Sequence, residues 1–354
     1  MPISIVVGGQ FGSEGKGKVA LHLAREFGNR ALIVRVGGSN SGHTAYNSTG
    51  EKHALRQLPA GGVDGNPMLI APGSYLDVDV LMSEIEDIGA TPDSLFIDEN
   101  AKLITCAHKR WERSSDLVEG IGSTASGTGA AVLGSIARKS PNLDLQSPRA
   151  KDDERLKPFL KSTHEIMDRH LREGGRIIVE GTQGYGLSLN HGEWPYVTSR
   201  DTTAAAFLSE IGRAPSDVDD VVLVIRSYPI RVAGNSGHLP HEITWEKVRK
   251  QSGAERDLTE RTTVTKKIRR VGEFDEEIVK KAIAANGPHR IVLNHVDFID
   301  VRARDGVIGS QARDDVRKIE QLINRNIDML GISEFETIAR PTFDDERPNL
   351  RVVS

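Results

Sequence analysis

The residues with most to offer chemically lie in glycine-rich stretches. Gly12-Ser13-Glu14-Gly15-Lys16-Gly17-Lys18 fits the pattern G-x-x-x-x-G-K. Glycines let a backbone wrap a phosphate, backbone N–H groups and a helix N-terminus supply positive potential, and lysine adds a full charge. A standard triphosphatase loop continues with Ser or Thr to hold magnesium, but Val19 follows here. Gly37 to Thr44 sets His43 in a second glycine-rich loop, a candidate acid or phosphate contact. Small hydroxyl residues at Ser123 and Thr124, inside Ile121–Gly129, suit a second anion cradle. In Glu180-Gly181-Thr182-Gln183-Gly184, the Gln183 amide can donate to and accept from a polar ligand. Thr262 to Arg270 runs hydroxyls into four cations in five positions, which suits a carboxylate or phosphate. Taken singly, each stretch also reads as an ordinary turn, a linker or a basic surface run.

These loops need elements to hold them. Ile3 to Val7 is a short β-branched apolar run, and Val19, Leu23 and Phe27 recur every four residues on one helical face. Ala31 to Val36 is the next apolar run. Strand, glycine turn, helix and strand in that order predict a βαβ unit, and hence a parallel sheet with helices on its faces. Both glycine loops then open at the carboxyl edge, where such sheets bind ligands. Further predicted strands are Met68–Ala71, Leu95–Ile97, Arg176–Glu180, Val221–Ile225, Ile291–Leu293 and Glu336–Ala339. Predicted helices run from Asp77 to about Gly89, across the charged stretch Lys151–Glu173, and from Arg313 to Gly331. Leu293-Asn294-His295-Val296-Asp297 follows a predicted strand and has the shape of the base-reading N-K-x-D of GTP-binding proteins, with His295 in place of the Lys.

The chain has 354 residues, with 46 Lys and Arg against 50 Asp and Glu, a formal charge of −4 that gives no push toward nucleic acid or an anionic membrane. Hydrophobic residues make up 38%, enough to bury a core, and no apolar run approaches the ~18 residues of a membrane helix. A single Cys106 excludes an internal disulfide and points to a reducing compartment. The N-terminus lacks a signal-type apolar run. The expectation is a cytoplasmic α/β protein with one large domain over 1–354, insertions included, and a P-loop-like phosphate site.

Taken together and in order, the motifs resemble those of the adenylosuccinate synthetase family. The specific pieces are Gly12–Lys18, Asn40–Thr44, Glu180–Gly184, Trp194–Ala204 and Thr262–Arg270. The family joins L-aspartate to C6 of a purine nucleotide through a 6-phosphoryl intermediate made from a nucleoside triphosphate. The resemblance implies that Gly12, Glu14, Gly15, Lys16, Gly17 and Lys18 cradle the triphosphate with help from Thr44, while Asn294 and Asp297 meet its base. It makes His43 the group that stabilises charge on the purine 6-oxygen and the transferring phosphate, with Lys16 beside it. Gly42 matches the residue whose carbonyl binds Mg2+. Asn40, Ser123, Thr124, Gln183, Thr198 and Val232 match contacts to the monophosphate. Thr263, Val264, Thr265, Lys267 and Arg269 match the aspartate loop. Arg138 matches an Arg that reaches the phosphate from a neighbouring subunit, so a homodimer is implied.

Departures from the family pattern matter most at position 13. Ser13 stands where the family has an Asp that serves as base for purine N1 and as a magnesium ligand. A Ser hydroxyl cannot take that proton as a carboxylate would. It is shorter and neutral, and leaves room for a purine 2-amino group. In this respect the chain is similar to the phage-type branch, the 2-aminoadenylosuccinate synthetases, which use dGMP rather than IMP and feed 2-aminoadenine DNA synthesis. Lys267 replaces an Arg near the ribose and the aspartate, and Lys lacks bidentate geometry. The altered base reader leaves ATP, dATP or GTP open as donor. The alternatives are an IMP-using adenylosuccinate synthetase with GTP, and a non-catalytic nucleotide-binding regulator, which has no need of a carboxylate-binding loop.

Overall fold

The computed structural model describes residues 2–138, 140, 145–262 and 266–343. Ten strands form the central sheet: β1 (Ile3–Gly8), β2 (Ala31–Arg35), β3 (Met68–Ile70), β4 (Leu95–Asp98), β5 (Leu160–Lys161), β6 (Arg176–Glu180), β7 (Val218–Arg226), β8 (Arg290–Asn294), β9 (Met329–Gly331) and β10 (Thr337–Ala339). Their order is β10-β9-β8-β7-β1-β6-β2-β3-β4-β5, and every pairing is parallel except β9 with β10. The expected mostly parallel α/β sheet is therefore present. The strands at its centre are apolar throughout because both faces are covered. Ile5 and Val7 pack with Phe207, Val279 and Val316 on one face, while Val6 packs with Val19 and Leu23 on the other. Each such fully buried aliphatic side chain contributes roughly 1.5–3 kcal/mol.

The helix α1 (Lys16–Phe27) joins β1 to β2, yet these strands are not neighbours. β6 lies between them, with Val6 opposite Glu180 and Val34 opposite Val179. On the other side of β1 lies β7, with Val6 opposite Val222. The loops after β1, β2, β6, β7 and β8 thus gather at one carboxyl edge, where crossovers leave β1 in both directions.

Three expectations need correction. Lys151–Glu173 is not one helix: Pro158 sits in a short 3-10 segment, Glu154–Phe159, then β5, and only Thr163–Arg172 is α-helical. Proline lacks the N–H that a helix interior needs. The predicted helix to Gly331 stops at Ile323, where Asn324 adopts a left-handed conformation, and β9 follows. Finally, Glu336 precedes β10 rather than joining it, and its N–H goes to the Ser333 hydroxyl. Among the described residues no helix is long and apolar enough to cross a membrane.

Candidate active site

The phosphate loop closes on itself. Gly15 caps α1 at φ 91°, a conformation open to glycine, and a side chain there would meet Asn294 Nδ2 at 2.5 Å. No side chain caps α1 and no acidic residue lies in its first turn, so its N-terminal N–H groups stay available to an anion. Glu14 is buried, and its Oε1 accepts from the N–H groups of Gln10 (3.1 Å) and Gly12 (2.8 Å). Lys16 is buried with it: its ammonium lies 2.7 Å from Glu14 Oε2 and also donates to the Gln183 carbonyl. A lysine has three N–H donors, so one is left for a phosphate oxygen.

His43 begins a short hairpin, His43–Tyr46 with Lys52–Leu55, that the strand expectations did not include. The hairpin lies against α1 because Gly17 has no side chain; a Cβ there would meet His43 Cβ at 2.8 Å and Ala60 Cβ at 2.9 Å. Glycine at 17 therefore seats the imidazole at the phosphate loop. His43 Nδ1 is 2.5 Å from Glu180 Oε1, and Arg35 Nη1 donates to the same oxygen at 2.8 Å. Arg35 Nη1 also lies 2.6 Å from Nδ1. Nδ1 cannot donate to one and accept from the other, and with its proton directed at the carboxylate both side chains serve Glu180. The N–H groups of Ala60 and Gly61, each 3.1 Å away, complete the carboxylate's partners. Burial pushes Glu180 upward, but the His43, Arg35 and Ala60 interactions outweigh it and hold the carboxyl at about 2. Burial, and then the Arg35 charge, lower His43 to about 4 against the pull of Glu180. The free enzyme thus carries a neutral imidazole with Nδ1 committed to Glu180, which leaves Nε2 as its second hydrogen-bonding atom.

Ser13 lies exposed at φ 57°. Its carbonyl accepts from Arg226 Nη1 at 3.0 Å, and its hydroxyl has no partner among the described residues. Arg226 ends β7 and is fully buried, and its backbone N–H and C=O bond the Gln10 amide at 2.9 and 3.2 Å. Asn294 donates to the Glu14 carbonyl at 2.6 Å, which ties the end of β8 to the same loop.

The expected monophosphate contacts fall in separate places: Gln183 stands at the phosphate loop, where its carbonyl accepts from Lys16, and the others pair within or between neighbouring loops. Asn40 Nδ2 donates to the Thr198 hydroxyl at 3.4 Å. Thr124 and Ser126 share a hydrogen bond of 2.8 Å, and the Ser123 hydroxyl accepts from Ala125 N–H at 3.2 Å. Gly122 stands where a Cβ would touch Val232 Cγ2 at 3.4 Å, so Val232 borders this loop. The N-terminus of the next helix, Thr128–Ala137, is not open to an anion. Glu112 already accepts from Gly127, Gly129 and Ala130 N–H. Arg138 is exposed at that helix's far end, roughly 15 Å from Thr128 at 1.5 Å rise per residue. It lies outside the cluster formed by its own chain.

Of the aspartate-loop residues, Thr263, Val264 and Thr265 lie outside the described residues. Lys267 is exposed, and Arg269 Nη1 pairs with Glu260 Oε2 at 2.9 Å. Lys18 turns away from the phosphate loop to the Ser333 carbonyl, 2.7 Å distant. Burial lowers it to about 8 despite nearby Asp297, Glu334 and Glu336. Asp297 Oδ2 meets Arg304 Nη1 at 3.0 Å and Arg256 Nη2 at 3.2 Å. Thr44 and Gly42 are exposed beside His43. Among the described residues no three His, Cys, Asp or Glu side chains gather to hold a metal. The oxygens that the resemblance assigns to a metal, on Gly42 and Ser13, are hard donors on exposed residues. That suits magnesium, which keeps several waters and takes substrate phosphate oxygens.

Sequence reasoning assigned no role to Arg35, Glu180, Arg226 or Glu260. Only Glu180 stood within a recognised motif.

A crossover sheet with an uncapped helix N-terminus, a buried lysine and a carboxylate-held histidine at one edge defines an α/β enzyme that handles nucleotide phosphates. The adenylosuccinate synthetase family model matches residues 5–146 and 144–307. Adenylosuccinate synthetases of Methanococcus aeolicus and Thermococcus sibiricus are 38% and 36% identical, covering 85% and 91% of this chain and 86% and 93% of theirs. Among solved structures, cyanophage S-2L succinoaminodeoxyadenylate synthetase (PurZ) bound to dGMP and dATP as an energy donor aligns with a TM-score of 0.78 at 29% identity, covering 96% of each chain. Plasmodium falciparum adenylosuccinate synthetase shares the fold, with a TM-score of 0.83 at 21% identity over 96% of this chain and all of its own. The chain belongs to the adenylosuccinate synthetase family and is a nucleotide–aspartate ligase that forms a C–N bond.

Proposed function

We propose that this ligase uses dGMP, joining L-aspartate to its C6 to give the 2-amino-deoxyadenylosuccinate that 2-aminoadenine DNA synthesis requires. The observation that carries this reading is Ser13: a small neutral side chain, exposed beside the phosphate loop, with a hydroxyl left unpartnered. A carboxylate there would crowd a purine 2-amino group, whereas a hydroxyl can accept its hydrogen bond. The likeness to cyanophage PurZ with dGMP bound supports the same choice.

In the reaction the γ-phosphoryl passes to O6, and aspartate's amine then displaces phosphate from C6. Lys16 and the N–H groups at the start of α1 hold the triphosphate, and the charge on the transferring group is met at its developing oxygens. Glu180 and Arg35 fix the His43 ring so that Nε2 faces the transfer. Burial and, after it, the Arg35 charge keep this ring neutral; the negative charge of a bound triphosphate opposes both and favours the imidazolium that can donate from Nε2. Gly42 and Ser13 would hold Mg2+ together with phosphate oxygens and water, and its charge would offset that of the triphosphate. Arg269, with Lys267 and the segment 263–265, receives the carboxylates of aspartate. Asn40, Thr124 and Thr198 take the 5′-phosphate. Arg304 and Arg256 engage the Asp297 oxygen that a guanine donor would need, which favours ATP or dATP.

Arg138 serves a second copy of the chain in a homodimer. Leu133 (39% exposed) and Ile136 (70%) on its helix, with Trp111 (38%) on the helix Cys106–Ser114, are the apolar surface such a contact would cover. Light scattering of the purified protein tests this. The cytoplasm remains the proposed location.

Phosphate release with aspartate and ATP is to be measured with dGMP and with IMP. A preference for dGMP is expected, and a preference for IMP would overturn the acceptor assignment. The archaeal relatives, named adenylosuccinate synthetases, favour IMP as the second reading. Ser13→Asp separates the two, because the left-handed backbone at 13 accepts Asp at least as well as Ser. Loss of dGMP use supports the first reading, and a gain in IMP use with dGMP use retained supports the second.

A further inference from the structure

Resting on that reading, we infer that Glu260 is a positioning residue that sets the affinity for aspartate and ties the aspartate loop to the phosphate loop. The carboxylate stands between two guanidinium groups. Its Oε1 is 2.5 Å from Arg226 Nη2, and its Oε2 is 2.9 Å from Arg269 Nη1 and 3.3 Å from Arg226 Nη1. Arg269 N–H also donates to the Glu260 carbonyl at 2.9 Å. Residues 260 and 269 therefore pair at the foot of the loop, and the isolated bridge between Arg261 and Ile268 extends that pairing.

Two consequences follow from this arrangement. The first concerns Arg269. With Nη1 taken by Glu260, the edge formed by Nε and Nη2 faces elsewhere. Nε is buried and has no hydrogen-bond partner among the described residues. That edge is the one from which a guanidinium takes a carboxylate in bidentate fashion. Glu260 thus holds the arginine by one end and presents the other, unpaired, to an incoming acid. The second concerns Arg226. Its Nη1 also bonds the Ser13 carbonyl, and its backbone is clasped by Gln10. A pull on Glu260 is transmitted through one guanidinium to the residue beside which the purine sits. Arg226 is fully buried and its Nε lacks a partner among the described residues, so Glu260 supplies the negative charge that this cation needs.

The test uses steady-state phosphate release by the full-length protein with dGMP and ATP saturating and aspartate varied. Glu260→Asp keeps the charge beside Arg226 but withdraws the carboxylate from Arg269. It is expected to raise KM for aspartate about tenfold, the loss of one charge-assisted hydrogen bond, with KM for dGMP within about twofold. Glu260→Gln removes the charge as well and is expected to lower kcat besides, because the Ser13 carbonyl loses its fixed donor. An aspartate KM within twofold of the parent in Glu260→Asp overturns the role. So does an equal rise in both KM values, the mark of a general structural defect. A parent enzyme with no aspartate-dependent phosphate release on dGMP refutes the dGMP reading on which this inference rests, whereas a parent active on dGMP with an indifferent Glu260→Asp refutes the inference alone.

Discussion

Replacing Glu180 by Gln tests the core of the catalytic arrangement with almost no change of shape. The carboxylate is fully buried and accepts from His43 Nδ1, Arg35 Nη1, Ala60 N–H and Gly61 N–H. A glutamine oxygen can keep the first three, which share Oε1, but its NH2 then faces the Gly61 N–H, donor against donor. Leaving that amide unsatisfied costs about 1–3 kcal/mol. The lost charge strands Arg35, itself buried, and an unpaired buried partner of this kind costs about 3–5 kcal/mol. Allowing for overlap between the two, the loss is about 4–6 kcal/mol against a typical total stability of about 5–15 kcal/mol. With an unfolding entropy of roughly 2.1 cal/mol/K per residue, that lowers Tm by about 5–8 °C and leaves the protein folded at 25 °C. Catalysis should suffer more than stability. Without the anion, His43 keeps an acceptor for Nδ1 but loses the charge that stabilises its imidazolium, so kcat should fall about 10²–10⁴-fold. Binding of dGMP, measured by calorimetry, should be unchanged within about threefold. A folded Glu180→Gln enzyme with kcat within threefold of the parent would refute the assignment of His43 through Glu180.

Gly17→Ala should cut kcat at least about tenfold and destabilise the fold by about 1–3 kcal/mol, because the new methyl must displace His43 or Ala60; a normal kcat would show that the imidazole need not sit against α1. The pH dependence of stability follows from His43, held at about 4 against an ordinary 6.5. Between these values the unfolded chain binds the proton and the folded chain does not, so stability falls as pH drops from 6.5 toward 4, by roughly 3 kcal/mol at about 1.4 kcal/mol per pH unit. Urea unfolding at pH 7, 5.5 and 4.5 should show that decline in the parent and a shallower one in His43→Gln; equal slopes would refute it. Arg304→Ala should raise the ratio of GTP to ATP use severalfold by relieving Asp297 Oδ2, and an unchanged ratio in the same release assay would remove Asp297 from donor selection.

Much of the sheet was legible because the physics of its strands is local. A strand stretch covered on both faces must be largely apolar, and β1, β2, β3, β6, β7 and β8 each hold such a run, while β4 was short but bounded by turn residues. β9 was not legible: three buried residues soon after a helix look like its last turn, and only the five residues from the left-handed Asn324 to Asp328 separate them. The hairpin that carries His43 was missed for a related reason. Its first strand is four residues long and alternates buried with more exposed residues, too short a pattern to stand out beside Gly37, Gly38 and Gly42 of the preceding loop.

The site divides the same way. Glycine loops announce themselves, since few sequences spend five glycines in the ten positions from Gly8 to Gly17 without a phosphate to wrap. The charges that govern those loops do not. Glu180 meets Arg35 across 145 residues and Arg226 meets Ser13 across 213, so neither pairing leaves a local trace. Yet one rule could have located the first and flagged the arginine of the second. β2, β6 and β7 end in a charged residue, Arg35, Glu180 and Arg226, each the last of an otherwise apolar run and each buried. Charges are buried only when paired or hydrogen-bonded, and in a parallel sheet the last residues of such strands meet at one edge. Charges of opposite sign closing neighbouring buried strands should therefore be sought as partners. In this chain that rule links Arg35 directly to Glu180 on adjacent β2 and β6. It leaves Arg226, beyond β1, to find its carboxylate off the sheet, in the Glu260 that also holds the aspartate loop.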